Sequence, residues 1–397
     1  MASIIGHENN TSAESAEHDR IVSVMKNSVE HDRIEGQYNA SLRSKVLLII
    51  FMAVLSAIAF ICSLAIGSVD IPFGDTLAVL GHHIFPSWIS LPDNSWYDTI
   101  ILNERLPRTL LCLLTGISLA AAGTVMQGLL RNPLVSPFTL GVSTAASFGA
   151  AITIVFGSSL FGGVFYSTFN FLGFNMSVEN ILLVIMSFVF GMFSILLVLK
   201  VAKKDASRST LVLSGVVISY LFQAGISFSK YVSDDEALRE ITNWLMGGMW
   251  NATWSAIIIL TPIVVICLIF LEKLTLDINS LSVGDDIAKN VGVDVKKLRN
   301  TGLIVSTLVT STCVAFTGVI GFIGLMAPHM CRMIIGNDTR YVLPASALLG
   351  SAILMFSDII ARVIVRPDQL PVGIILYLIG GIFFIWMVTR KKWGSKL

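Results

Sequence analysis

The chain has 397 residues, 54% of them hydrophobic and 13% charged, with a formal net charge of +1. Soluble globular chains carry about 25% charged residues, so the composition excludes an ordinary soluble domain. No basic tract with interleaved aromatics points to nucleic acid, and the class that remains is a polytopic membrane protein.

Residues 1–45 are polar, and the pentapeptide EHDRI occurs twice, at 17–21 and 30–34. Mixed acids and bases with no apolar core do not make a signal peptide. The expectation is a disordered or loosely helical cytoplasmic arm, then a first span at 46–66, since about 20 apolar residues cross a bilayer core. Residues 67–108 read as a wet connection in which Trp88 and Trp96 suit a membrane interface. His82-His83 read there as plain loop residues, with metal binding as the alternative.

The run at 109–130 carries Cys112, Gly116, Ala120, Thr124 and Gly128, one small residue every fourth position. Small stripes let membrane helices approach closely, so this helix is expected at the centre of a bundle, stopped by Arg131-Asn132-Pro133. Further apolar runs follow at about 137–156, 180–199, 211–230, 254–271, 301–325, 343–364 and 371–389. Residues 326–336 are short for a span, yet Pro328 can open a helix there and Gly336 can close one. Cys62, Cys112, Cys267, Cys313 and Cys331 stand far apart with no C-x-x-C pair, and read as packing residues.

Lys and Arg in short loops collect on the cytoplasmic side. If the N-terminus is inside and 326–336 is a short tenth crossing, the inside loops hold five basic residues before Val46, Arg131, four in 200–210, five in 272–300, Arg340 and four after 389. Without that crossing the basic tail falls outside. The expectation is therefore an all-α protein of ten transmembrane helices, a permease domain at 46–390, with the arm and the 391–397 tail both cytoplasmic. Residues 123–137 and 318–329 each pair a glycine-bearing helix end with a proline, approaching opposite sides, as an inverted repeat of spans two to five and seven to ten would.

Enzyme chemistry finds no constellation. The dipeptide Gly-Lys is absent, so no P-loop cradles a nucleotide, and G-x-S-x-G and H-E-x-x-H are absent too. Ionisable residues within spans mark ion paths; the pair seen is Asp358 and Arg362, four apart, readable as a self-satisfied ion pair or as an ion site. With no internal energy source, an external motor is expected. The longest inside connection, 272–300, offers a short helix over 281–292 that exposes Asp285, Asp286 and Lys289, and a second turn over 295–299. It reads equally as a partner's seat or a solvated connector.

Taken together, Arg105-Leu-Pro-Arg108, Gly123, Gln127, Asn132-Pro133-Leu134, Pro137, Leu140-Gly141, Trp244-Leu-Met-Gly-Gly248, the 284–292 segment, GFIGLMAPHMCR at 321–332, Leu343-Pro344, Asp358 with Ala361-Arg362, and Leu370-Pro371-Val-Gly373 resemble the FecCD-type permeases of iron-siderophore, haem and vitamin B12 ABC importers. The resemblance covers about residues 46–390 and leaves out the N-terminal arm. It implies a type II ABC importer permease that works as a homodimer or paired permease, with no cofactor of its own. ATP and Mg belong to two ATP-binding cassette subunits docked from the cytoplasm, and an extracytoplasmic substrate-binding protein docks from outside. Carried over, docking falls to Arg105, Arg108 and Arg362. ATPase coupling falls to the loop holding Leu281, Gly284, Asp285, Asp286, Ala288, Lys289 and Gly292. The pathway runs along spans five and ten, with Ser214, Gly215, Ser219 and Gln223 as small or neutral walls, and the outer and inner gates fall at 233–245 and 200–209. Gly116, Gly123, Gln127, Asn132, Pro133, Pro137, Gly141, Gly321, Gly324, Pro328 and His329 are expected to be architectural. Ferric siderophore is the first substrate expected, with cobalamin, haem and molybdate behind it; an ion-coupled secondary transporter is the runner-up, and a membrane scaffold or sensor without transport is the third reading.

Overall fold

In a computed structural model of the chain, the described residues are 42–171, 174–202 and 207–389. Of the expected arm at 1–45, residues 1–41 lie outside them, as do the end of the chain from 390 and part of the 200–209 loop. Residues 42–50 open the first helix, α1 (Leu42–Ala65), and the packing below is that of residues 51–397.

The glycine stripe decides the centre of this packing. Residues Trp96–Leu130 form one 35-residue helical run, made of a first turn α3 (Trp96–Thr99), a π turn (Ile100–Arg105) and α4 (Leu106–Leu130). Its apolar window is 78% buried, against 22% for α1. The stripe faces α14 (Thr339–Val363), which presents small residues of its own. A Cβ on Gly116 would stand 2.5 Å from the Cα of Ser351, and Thr124 Oγ1 meets Ser346 Oγ at 2.6 Å. Backbones this close exchange dispersion along their whole length, which is the main adhesive where water is absent.

Around this pair lie α5 (Val142–Phe161), α6 (Val178–Val201), α7 (Arg208–Val232), α8 (Asp235–Met246), α9 (Trp254–Lys273), α10 (Thr275–Val283), α11 (Asp285–Asn290), α12 (Val295–Thr317), α13 (Ile323–Ile335) and α15 (Val372–Thr389). Among the described residues nine helices are long and apolar enough to cross a membrane, and α13 is a shorter apolar one. Most packing side chains on α12 and α14 are buried, whereas α1, α7 and α15 keep exposed apolar faces such as Val54, Leu213 and Leu378.

Three expectations change. The connection at 67–108 is largely helical: α2 (Phe73–Ile84) carries His82 and His83 in its last turn, where Nδ1 of each donates to a backbone carbonyl, of Ile89 and Val79, and the second span already starts at Trp96. The all-α expectation meets a small antiparallel hairpin, β1 (Thr168–Phe171) paired with β2 (Phe174–Ser177). The apolar run 301–325 is two elements, because the chain turns sharply between α12 and α13. Gly318 takes φ 67, a value cheap only for glycine, and its Cβ position is filled by the Trp244 carbonyl oxygen. Phe322 takes φ 66 without that freedom, its ring held against Tyr377 and Phe384 of α15.

Pro328 lies inside α13, not at its start. A mid-helix proline has no N–H for the carbonyl four residues back, and here that carbonyl, on Gly324, accepts from Gln127 Nε2 at 3.3 Å. Gly123 abuts the same carbonyl so closely that a Cβ would overlap it. The two glycine-proline motifs of the sequence therefore meet each other. Elsewhere, Arg131 ends α4 in a left-handed conformation, Asn132 Oδ1 accepts from the Leu134 N–H, and Gly141 takes φ 81 to open α5 beside Ser219. Overpacking a tight contact costs about 1–3 kcal/mol. Gly123→Ala is expected to lower the melting temperature in detergent, whereas Gly381→Ala, with open space around it, should leave it unchanged or raise it.

Candidate functional site

Three regions carry the candidate residues: one end of the bundle around Arg105, the connection at 272–300 at the other end, and the exposed faces of α7 and α15.

At the first, the last turn of α1 leaves carbonyl groups with no helical N–H to bind, as every helix C-terminus does. Guanidinium groups supply the donors. Arg362 donates to the Ser63 carbonyl at 3.1 and 3.2 Å and to Ser63 Oγ at 2.8 Å. Arg105 donates to the carbonyls of Leu64 at 2.8 Å and Ala65 at 2.6 Å, and to that of Val69. Arg366 donates to the Gly67 carbonyl at 2.6 Å and pairs with Asp70 at 2.7 Å. Cations at this end also oppose the negative pole of the helix dipole.

Asp358, 0% exposed, sits beneath this cap. Its carboxylate accepts from Arg108 at 2.8 to 3.2 Å and from Arg362 at 2.9 Å, and Arg108 reaches on to Gln369 at 2.5 Å. The ion-pair reading of Asp358 and Arg362 holds, with Arg108 as a third member.

Arg105 and Arg362 are 4% and 3% exposed. The expectation that they present charge outward needs correcting, because burying a cation requires that its donors be satisfied inside, and here they are spent on α1. Among the described residues at this end, the charges that face out include Arg366 and Asp70, with Glu104 and Asp368 beside them.

At 272–300, the single helix expected over 281–292 is two. Gly284, at φ 156, separates α10 from α11, and Gly292, at φ 90 with open space about it, ends the second. Leu281 and Ala288 are buried anchors, Asp286 and Lys289 pair on the surface at 3.1 Å, and 295–299 is the start of α12. Asp285 is not simply exposed: it accepts from Arg208 of α7 and from Arg299 of α12, each at 3.0 Å. Burial raises the carboxyl's pKa, but the hydrogen bond and charge of Arg299, with Arg208 and Arg131 nearby, hold it below the usual carboxylate range. Asn279 bridges α10 to α14 through Asp338 at 2.7 Å and the Thr339 N–H at 2.8 Å. Arg208, Arg299 and Asn279 carried no signal in the sequence, since their partners lie 77, 14 and 59 or 60 positions away.

On α7, Ser214 and Gly215 are buried inside the protomer, with Gly215 against the Leu140 backbone. They do not lie on the exposed face of α7: a Cβ at Gly215 would stand 2.7 Å from the Leu140 Cα. Ser219 is half-buried and bonds its own helix at Gly215, while Gln223 is exposed. The open face of α7 is instead Leu213, Val217, Tyr220, Leu221 and Phe228. The C-terminal end of α12 and the start of α15 are joined through the 244–248 motif: Gly248 N–H donates to the Thr317 carbonyl and Gly373 N–H to the Gly247 carbonyl.

A family model, described as the FecCD transport family, matches residues 54–390, which takes in all three regions. The chain belongs to that family. Among FecCD relatives, it is 36% identical to the hemin transport system permease protein HmuU of Yersinia pestis over 76% of this chain and 86% of that one. It is 32% identical to the Fe(3+) dicitrate transport system permease protein FecD of Escherichia coli, covering 88% and 100%. The structure superposes with a TM-score of 0.71, at 29% identity, on one described as an inward-facing metal-chelate type ABC transporter, covering 86% of this chain and 98% of that chain. The FecCD chain is thus a multi-pass ABC transporter permease subunit, not itself an enzyme; ATP is hydrolysed by a partner ATPase.

Removing one member of a buried charge network leaves the others uncompensated, at a cost of about 3–5 kcal/mol. Asp358→Asn should therefore sharply lower thermal stability in detergent. Arg366→Gln, which breaks an exposed pair, should cost under about 1 kcal/mol.

Proposed function

We propose that this FecCD permease moves a metal chelate inward across the cell membrane, a ferric siderophore before haem, vitamin B12 or molybdate. Two ATP-binding cassette subunits power it from the cytoplasm, and a substrate-binding protein delivers the cargo from outside. The observation that carries the reading is the family match over residues 54–390. Relatives named for hemin, Fe(3+) dicitrate and vitamin B12 support the substrate class.

The permease works as a pair, with α7 and α15 of each copy along a shared axis. No charged residue lies between Arg208 and Lys230 on α7, and none on α15. A wide path without strong sites suits a bulky cargo, since tight binding slows release; Gln223 supplies a neutral polar wall. The helix α8 serves as outer gate and the 200–209 connection as inner gate. The short helix α13, about 20 Å long at 1.5 Å per residue, makes the tenth crossing, which leaves both termini cytoplasmic and relates spans two to five to seven to ten by inversion.

The binding protein docks at the rim around Arg105, Arg108 and Arg362. These three act by fixing the shape of the rim, and Arg366 and Asp70 present the charge. The ATPase seats on the 272–300 loop, chiefly through Asp286 and Lys289. A secondary carrier would need an ionisable group free to take a driving ion, and the closure of Asp358 between two guanidinium groups argues against one there.

Purified alone, the chain should hydrolyse no ATP; with both partners in proteoliposomes it should take up ferric siderophore only when ATP is supplied. Uptake driven by an ion gradient without ATP would sink the reading. Arg366→Glu should weaken association with the binding protein, more so at low salt because exposed charges are screened by ions. An unchanged affinity removes Arg366 from the docking face.

A further inference from the structure

One carboxylate joins the loop at 272–300 to two spanning helices. Asp285 opens α11, and its two oxygens are divided: Oδ1 accepts from Arg208, the first residue of α7, and Oδ2 from Arg299, the fifth residue of α12. Three helix N-termini converge on it. A cation in the first turn of a helix faces the positive pole of the helix dipole, so Arg208 is poorly placed for its own helix, and the Asp285 carboxylate offsets this while it also pairs with Arg299.

The helix α11 has two faces with different partners. Asp286 and Lys289, with side chains 94% and 62% exposed, pair with each other on one face. Asp285 and the buried Ala288 turn toward the bundle. The two halves of the loop are also anchored differently. Through Asn279, α10 is bonded to the start of α14, which packs along the whole of the buried helix α4. Beyond Gly284, whose φ is 156 and whose Cβ position meets nothing nearer than Ile287 at 3.9 Å, α11 is bonded through Arg299 to α12 and through Arg208 to α7, and α7 has an exposed face to move into. A push on the outer face of α11 thus has a fixed side and a moving side.

We propose that Asp285 is the positioning residue that transmits displacement of α11 to the cytoplasmic end of α7, so that the Asp285–Arg208 bond couples ATP hydrolysis in the partner to opening of the pathway helix. The inference rests on the reading of 272–300 as the ATPase seat. It assigns the two faces of α11 to two tasks: Asp286 and Lys289 hold the motor, and Asp285 passes its motion on. Arg299 keeps the carboxylate ionised and aimed while Arg208 moves with it.

The test uses the complete complex of permease, ATPase subunits and binding protein in proteoliposomes, with a ferric siderophore as cargo. Three quantities are read: ATPase subunits retained on purification, ATP hydrolysis, and cargo moved per ATP. Arg208→Gln keeps the Asp285–Arg299 bond, so the complex should assemble and hydrolyse ATP, while cargo per ATP falls at least about fivefold, the lower end of ordinary coupling energies. Asp285→Asn should show the same loss, and the double variant should be no worse than Asp285→Asn alone, because residues acting through one bond are not additive. Arg208→Lys, which keeps a charged donor, should restore much of the yield. Wild-type cargo per ATP in folded Arg208→Gln, or losses that multiply in the double variant, overturns the relay. Asp286→Lys with Lys289→Glu tests the underlying reading separately: it should reduce ATPase retention, and full retention would overturn the seat without bearing on the Arg208 bond. If Arg208→Gln gives no folded complex, Asp285→Asn against Arg208→Lys decides by the same yield.

Discussion

The close approach of α4 to α14 is the contact on which the rest depends. In a hydrocarbon solvent, burying leucine against leucine gains little over leaving each in lipid, so helix association relies on backbones that can nearly touch. Gly116, Ala120 and Thr124 provide that on one side, and Ser346, Gly350 and Ser351 on the other. Because the approach is set by absent side chains, its tolerance is a fraction of an ångström. Everything anchored to the pair inherits that precision, including the Gly123–Gly324 crossing toward α13 and the Asn279 bridge from α10 to α14.

The same pair sets the electrostatics at the Arg105 end. Asp358 projects from α14 and Arg108 from α4, so the packing of two helices brings a carboxylate and a guanidinium into a dry contact at 2.8 Å. Isolated, either charge would be costly there. Held between Arg108 and Arg362, the carboxylate is satisfied, and Arg362 has donors left for α1. The end of a first helix that is otherwise weakly buried is thereby fastened by charge-assisted hydrogen bonds as well as by the burial of Ser63, Leu64 and Ala65. This gives the arginine-rich rim a structural task that comes before any partner arrives.

The two ends of the permease differ in kind. The arginine cap around α1 is sealed, with its donors turned inward. The 272–300 loop is divided at Gly284 into an anchored part and a part bonded to α7 and α12, and it carries exposed charges on one face. A subunit that must remain whole while one of its ends is driven has a physical use for that difference: rigidity where a partner must find a fixed shape, and a divided loop where another must do work.

Much of this was legible in the chain. Long apolar runs, the four-residue stripe and the clustering of Lys and Arg depend on residues near one another in sequence, and helix periodicity and hydropathy act over the same range. They were sufficient for the membrane class, the central place of 106–130 and the proximity of Asp358 to Arg362. Family motifs added the permease assignment. What stayed hidden depends on residues far apart. That Ser214 and Gly215 lie off the exposed face of α7 is not legible because nothing near them in the chain shows that Leu140 packs against Gly215. Arg105 read as an outward charge because the carbonyls it caps lie 36 to 41 positions earlier. The run 301–325 looked continuous because a turn at Phe322 is stable only with the rings of α15 beside it. By itself the sequence determined that the chain is a polytopic membrane protein and which helix lies at the centre, since solvent preference and helix period are local properties. Which arginines face inward, and that Asp285 joins α11 to α7 and α12, was decided only by tertiary structure, because the direction of a long charged side chain is set by whichever distant helix offers it a partner.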